Sequence, residues 1–462
     1  MRNGDTSFWF SQLPAEPPRP PLPGDTDADV AIVGAGFTGL WAAYHLLTLD
    51  PSLRVVVLEA RHVGYGASGR NGGWVSSAIT GGREPDAARL GREPVAAFQR
   101  VMNRAVERIG EIAAAEGIEA DYVRGGELLV ARSPAQLQRL QAAARDAERW
   151  PEDEATLLSA AELADQVRVA GALGALHLPH CARVQPAALV RGLARGVEQR
   201  GGRIHEGTRV RALFPGGAGR PARAVTDAGE VRAEVVLRCT EGFTASLTGQ
   251  RRTWLPMNSS MIVTEPLDAA TWEEIGWDSM ATMEDLAHAY VYLQRTADGR
   301  IAIGGRGRPY RYGSRVDPDG ETPRATVMAL AAQLRALFPA TRGTGIAHAW
   351  SGVLGVPRDW HATVGLDTTT GLGWAGGYVG TGVTATSVAG ETLAHLVTGV
   401  PSELTAMPWV GRRVRRWEPE PLRWLAVHGM YALYRAADRA EDSGGGTRWW
   451  ARAADALTGR SL

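Results

Sequence analysis

The strongest pattern in the chain spans residues 29–47, where the apolar run DVAIV is interrupted by three closely spaced glycines and then resumes as FTGLWAAYHLL. The first run predicts a buried strand, the glycines a tight turn, and the second run a helix whose small Ala42 and Ala43 permit close packing. RVVVLEA at 54–60 predicts the next strand and completes one βαβ unit. Before it, six prolines between Pro14 and Pro23 predict an extended strap leading into the fold.

Downstream, residues 86–120 predict a helix, with Val101, Ala105, Ile109 and Ile112 on a core-facing side. LLVAR (128–132) predicts a strand. Residues 133–150 predict a helix capped by Ser133, with Pro134 at its first position. A helix over 185–201 leads into GGRIHEGTRV, and AEVVLRCTEGF (233–243) follows; both read as members of a parallel sheet. The texture changes over 254–310, where MIVTEP, HAYVYLQRT and RIAIGGRG predict an antiparallel sheet in a second domain. After a helix at 324–338, glycine-rich strand-and-helix text returns at 371–398.

Composition narrows the chemistry. At 462 residues the chain predicts more than one domain. Its 50 basic residues balance 50 acidic ones, and none of the basic residues is lysine. A Schiff-base mechanism and a lysine-bearing phosphate loop are thereby excluded. Zero net charge gives no electrostatic case for nucleic-acid binding. Cys181 and Cys239 are far apart and lack ligand neighbours, so neither a disulfide framework nor a metal site is expected. Residues 1–13 carry no secretory pattern, and residues 368–390, uncharged but rich in glycine, read as buried backbone rather than a membrane span. A cytoplasmic setting is the expectation. The Arg412, Arg413, Arg415 and Arg416 cluster reads as an acid-paired surface.

Gly34, Gly36 and Gly39 form G-x-G-x-x-G directly after a strand and at the mouth of a helix. Glycine there permits the turn and close approach of backbone to a pyrophosphate, while the helix start supplies unpaired N–H groups. Glu59 follows 20 residues later at the end of the second strand, where an acid accepts from ribose hydroxyls. GASGRNGG (66–73), a second glycine loop so soon after that acid, suits FAD better than NAD.

DVAIVGAGFTG, LEARHVGYGASGRNGG, GGRIHEGTRV and AGGYVGTGVTATSVAG together resemble the D-amino-acid-oxidase superfamily, nearest in pattern to the gamma-glutamylputrescine oxidase type. The resemblance covers roughly residues 28–410. It implies an α/β fold (α+β overall): a Rossmann-like FAD domain from residues 28–85, 180–245 and 345–400, and an antiparallel-sheet substrate domain from 86–179 and 246–344. Residues 1–27 would be the strap and 401–462 a helical appendix.

By the same resemblance, Gly34, Gly36, Phe37, Thr38 and Gly39 would hold the FAD pyrophosphate, and Glu59, Ala60 and Arg61 the ribose. Gly66, Ala67, Ser68, Arg70, Asn71, Gly72 and Gly73 would pass over pyrophosphate and flavin. The Val210 backbone would meet the adenine. Gly377, Gly380, Thr381, Gly382, Val383 and Thr384 would lie against the pyrimidine end of the flavin. The implied reaction takes a hydride from the α-carbon of an amine to flavin N5 and leaves an imine for water to hydrolyse. Tyr290, Tyr292 and Trp350 are the expected pocket walls, with Arg295 and His361 weaker candidates.

Three departures from the family pattern matter. Leu354 stands where relatives acting on α-amino acids place a carboxylate-binding arginine, while Arg358 reads as a structural pair with Asp359. The expected substrate is therefore a primary or secondary amine without an α-carboxylate. Residues 371–390 hold no cysteine and GASGRNGG no histidine, so FAD should be noncovalent, with His62 the local exception to check. Sarcosine-oxidase-like relatives activate oxygen with a lysine, which this chain lacks, so oxygen is the first expectation and another electron acceptor the second. An RNA-modifying flavoprotein, a noncatalytic FAD subunit and an NAD-dependent enzyme are the remaining alternatives. Oligomeric state is not legible.

Overall fold

The computed structural model describes residues 1–217, 219–307, 309–316 and 319–442. The predicted βαβ unit forms as Thr26–Val33, the helix Phe37–Leu49 and Val55–Leu58, with the two strands parallel. The helix is apolar on all sides, and Phe37 through Leu47 are buried, as expected where a helix is covered on both faces. Arg203–His205 adds in parallel beyond Val55–Leu58, and Glu230–Arg238 adds in parallel on the other side of Thr26–Val33. Glu230–Arg238 then divides, pairing with Ala222–Thr226 near its start and with Leu372–Gly376 near its end. The result is an eight-stranded sheet built from three separated stretches of chain.

A nine-stranded sheet forms the second layer. Leu255–Thr264, Val291–Arg295 and Ile301–Gly305 are antiparallel within it, as their alternation predicts. Its membership differs from expectation in two places. Ile346–Val356, expected in the FAD domain, pairs along its length with Leu255–Thr264. Conversely, the helix Arg92–Ala115 packs into the core that holds Phe37–Leu49 and Gly382–Thr398, while only Glu127–Ala131, Thr156–Ser159 and Gly174–Leu178 from that region join the second sheet. The helix expected over 86–120 is two helices, broken at Gly91 with φ +84°. Ser133 caps Pro134–Arg149 as predicted, accepting from the Gln136 N–H.

The N-terminal strap carries more than extended proline-rich chain. Arg2–Asn3 pairs in parallel with His348–Ala349 at the sheet edge, and Phe8–Ser11 forms a helical turn capped by Ser7, with Phe8, Trp9 and Phe10 buried. At the other end, Leu422–Asp442 is a helix whose Val427 and Tyr431 pack on Leu255, Met257 and Tyr310. Glu441 on that helix accepts two bonds from Arg139 and one from His288, which holds its carboxyl down to about 2. Asp438 accepts from the His288 and Ala289 N–H groups. The last part of the expected appendix, 443–462, lies outside the described residues. Arg412 pairs with Asp86 and Asp359, and Arg358 pairs with Glu418 instead of its neighbour Asp359. Among the described residues no helix is long and apolar enough to cross a membrane.

Candidate active site

A cavity of about 480 Å³ opens where the two sheets meet. Gly34, Gly36, Phe37 and Thr38 line it, and the three glycines are required for separate reasons. Gly34 sits at φ +108° with its Cβ direction filled by the Cys239 carbonyl at 2.6 Å. A Cβ on Gly36 would lie 2.8 Å from Ser68 Oγ, which accepts the Phe37 N–H at 2.8 Å. A Cβ on Gly39 would lie 2.0 Å from the Gly34 carbonyl, so Gly39, which does not line the cavity, serves helix-on-strand packing.

Glu59, Ala60, Arg61 and Val210 line the cavity beside this turn. The Glu59 carboxylate accepts the Ala35 and Arg61 N–H groups at 3.0 and 2.9 Å and also faces the Ala60 N–H, and with about four acceptor positions it keeps capacity for a ribose hydroxyl. Burial pushes its pKa up, against the pull of those N–H bonds.

Gly66, Ala67, Ser68 and Asn71 line the next stretch. Asn71 holds the loop by donating to the Ala67 and Ser68 carbonyls and accepting the Gly73 N–H. Gly72 and Gly73 lie behind the cavity surface: a Cβ on Gly72 would meet the Tyr292 ring at 2.9 Å, and Gln294 donates to the Gly72 carbonyl. Arg70 turns away from the expected phosphate contact. Its guanidinium stacks near Tyr65 and donates to the Tyr65, Ser351 and Asp5 carbonyls, so these donors are already engaged.

The N-terminal turn braces this loop from outside. Ser7 donates to the Gly69 carbonyl at 2.6 Å and Trp9 Nε1 to the Asn71 carbonyl at 2.8 Å. Sequence reading missed Trp9; the signal available was three aromatics in SFWF directly after a capping serine. Trp9→Ala should destabilise the protein by about 3–5 kcal/mol and loosen cofactor retention, measured by chemical denaturation and by flavin release on dilution.

The third loop closes the far end. Tyr378, Gly380, Gly382, Val383 and Thr386 line the cavity, whereas Gly377, Thr381 and Thr384 support it from behind. Gly377, at φ +82°, leaves no room for a Cβ against Pro357. Val379, β-branched yet at φ +52°, is an outlier of the kind that costs about 1–3 kcal/mol and collects at functional sites. Thr384 Oγ1 is buried without a hydrogen-bond partner. Glu241, also absent from the sequence-based site, lines the cavity and accepts the Gly377 and Tyr378 N–H groups at 2.8 and 3.2 Å. Burial pushes its carboxyl up to about 7, against those bonds.

Neither Gly36 nor Thr381 caps its helix with its own side chain, although Ser68 Oγ takes the Phe37 N–H, and the starts of Phe37–Leu49 and Gly382–Thr398 both face this one cavity. Two helix termini, a glycine turn, an acid at the second strand and a third glycine loop form a set of groups suited to a dinucleotide pyrophosphate, its ribose and an oxidised ring system. The family profile for FAD dependent oxidoreductases (DAO) matches residues 29–396. The chain belongs to the DAO family. Its members use FAD, and this chain is an FAD-dependent oxidoreductase acting on C–N bonds of amines or amino acids. DAO relatives include the gamma-glutamylputrescine oxidoreductase of Escherichia coli (strain K12), 29% identical over 402 residues that cover 86% of this chain and 90% of that one. Similar DAO-type structures include glycine oxidase from Geobacillus kaustophilus, with TM-score 0.70, 19% identity and coverage of 84% and 99% of the two chains. L-proline dehydrogenase from P. horikoshii gives TM-score 0.67, 20% identity and coverage of 84% and 98%.

The expected substrate-side residues separate. Leu354 lines the cavity with Val353. Tyr292 stands on the second sheet beside the flavin-type loops, its hydroxyl 2.9 Å from Ser259 Oγ and its ring 6.4 Å from that of Tyr290. Trp350 is no pocket wall: it is fully buried, donates to the Arg70 carbonyl at 2.9 Å and packs against Phe8, Trp9 and His348. Arg295 donates to Trp277 and stacks on Trp272. His361 is a buried structural residue against Gly81. His62 lines a separate recess with Arg191 and Glu206.

Proposed function

We propose that the protein oxidises a primary or secondary amine that bears no carboxylate on its reacting carbon, with noncovalent FAD and with oxygen as acceptor. The observation that carries this reading is Leu354 in the cavity wall, flanked by Val353, at the strand position where the family resemblance places a carboxylate-binding arginine. Bound FAD supplies a two-electron acceptor for the hydride leaving the amine's α-carbon. Gly34, Gly36, Phe37 and Thr38 would hold the pyrophosphate and Glu59 the ribose, and the start of Gly382–Thr398 would offer positive helix potential to negative charge added to the ring system. Leu354 and Val353 exclude water from the reacting carbon, and the Tyr292 ring backs the loop at Gly72. The amine also gives up an N–H proton; the resulting imine takes up water and divides into a carbonyl compound and ammonia or a smaller amine. Oxygen, gaining two electrons and two protons, leaves as hydrogen peroxide.

A second reading, an acceptor other than oxygen, is favoured by the complete absence of lysine, since an arginine fork cannot take the place of a compact ammonium. Anaerobic bleaching of the flavin with a panel of polyamines, acylated polyamines, N-methylamines and amino acids, followed by air, tests substrate and acceptor together. Bleaching by amines and rapid return of colour in air is the expected result; bleaching by α-amino acids alone, or no bleaching at all, rejects it. Leu354→Arg should raise the half-saturating concentration of simple amines and admit α-amino acids. Unchanged rates for both classes would show that residue 354 does not face the reacting carbon.

A further inference from the structure

Tyr292 stands beside Arg306 and Trp74, each of which has one buried donor atom without a partner. Arg306 follows the strand Ile301–Gly305 and gives its Nη2 to the Val379 carbonyl at 3.3 Å, while its Nη1 is buried with no partner. Trp74, whose ring meets Tyr292 edge-on at 6.1 Å, has an orphaned buried Nε1. Arg183, which opposes Trp74 where the short strands Trp74–Ser76 and Cys181–Arg183 pair, has an orphaned buried Nε. Indole and guanidinium N–H groups only donate, and buried donors in native proteins are almost always paired. The partner that Arg306 Nη1 calls for is therefore an acceptor, and beside a guanidinium an anionic acceptor is favoured. A carboxylate matches the arginine fork in both charge and shape.

We propose that the amine substrate carries a carboxylate remote from its reacting carbon, and that Arg306 receives it. The position fits. A Cβ on Gly380, in the cavity wall, would lie 3.8 Å from Arg306 Nη2, so the guanidinium sits directly behind the third loop. On the nine-stranded sheet Leu354 opposes Met257, and Arg306 lies one step beyond the Ser260–Gly305 pair. Two strand spacings and a two-residue offset separate residues 354 and 306 by roughly 12 Å. A carboxylate at Arg306 is thus distinct from the α-carboxylate position that Leu354 has closed. Arg306 holds the strained Val379 carbonyl through Nη2 and lies beside the Tyr290 side chain, yet its Nη1 keeps no hydrogen-bond partner.

The inference rests on the amine-oxidising reading, and its test separates the two. Matched straight-chain amines of increasing length, with and without a terminal carboxylate, are offered anaerobically to the FAD-loaded protein and bleaching is followed. At one or more lengths the carboxylated amine should half-saturate at a concentration roughly 10- to 100-fold below its plain counterpart. Arg306→Leu should abolish that ratio and Arg306→Lys should keep part of it. Equal half-saturation in the wild type, or equal weakening of both series in Arg306→Leu, overturns the proposal. Straight-chain carboxylates lacking an amine give a reading independent of turnover: they should raise the melting temperature of the wild type and not that of Arg306→Leu. If no amine bleaches the flavin while this stabilisation persists, the amine reading fails and the anion site is upheld; if carboxylates stabilise both proteins alike, the anion site fails.

Discussion

Gly36→Glu should purify without flavin colour. The new Cβ would point at Ser68 Oγ from 2.8 Å, at the surface where the pyrophosphate has to approach, and the carboxylate would set a negative charge against the phosphates. Like charges brought together in a desolvated site cost several kcal/mol, so FAD affinity should fall by roughly 1000-fold or more. Absorbance of the purified protein and titration with FAD measure this, with circular dichroism as the check on folding. A yellow, stoichiometrically loaded variant would remove Gly36 from the cofactor site. Gly39→Ala should fail differently. Its Cβ would meet a backbone oxygen at 2.0 Å, which no side-chain rotation relieves, so the loss should appear in stability before it appears in binding.

The second large effect is one of pH. The buried Glu241 carboxyl titrates near 7 in the folded chain, above the ordinary glutamate value of 4.5 that it regains on unfolding. An acid with a raised folded pKa favours the folded state below pH 4.5, and that contribution is lost as pH climbs through 7. Integrated over that window the loss is about 3 kcal/mol. Burial also raises Glu127 to about 7 and Asp285 to about 6, giving the same sign. Buried His45 and His348, held down to about 3 and about 4, act in the opposite direction over the same window, so the Glu241 share is read as a difference: in urea unfolding of the cofactor-free protein, the wild type should lose about 3 kcal/mol relative to Glu241→Gln between pH 4.5 and 7. An unaltered slope in Glu241→Gln would mean that the carboxyl titrates normally.

What the sequence made legible follows the range of the interactions. The βαβ unit and its glycines are local, so strand, turn, helix and the acid after the second strand could be placed from spacing alone. The antiparallel strands 291–295 and 301–305 were legible for the same reason, being joined by a short turn. Trp350 shows the limit. Alternation identifies the sheet face it occupies, but its partners Phe8 and Trp9 lie about 340 residues away, and they convert a pocket wall into core. Arg70 was misread because a glycine loop near a phosphate suggests a phosphate ligand, whereas the carbonyls it serves come from Tyr65 and from distant Asp5 and Ser351. Arg306 and Glu241 went unnoticed among many charged residues. Only strand register and burial distinguish them from surface groups.

The two helix starts that face the cavity are separated by about 350 residues of chain. At a synthesis rate of about 5–20 residues per second, the first waits on the order of 20–70 s for the second to leave the ribosome. During that interval the glycine turn is half a binding site, and the outer brace from Ser7 and Trp9 still lacks the strand Ile346–Val356 on which it rests. The whole cofactor cradle therefore exists only once the helix Gly382–Thr398 has been made.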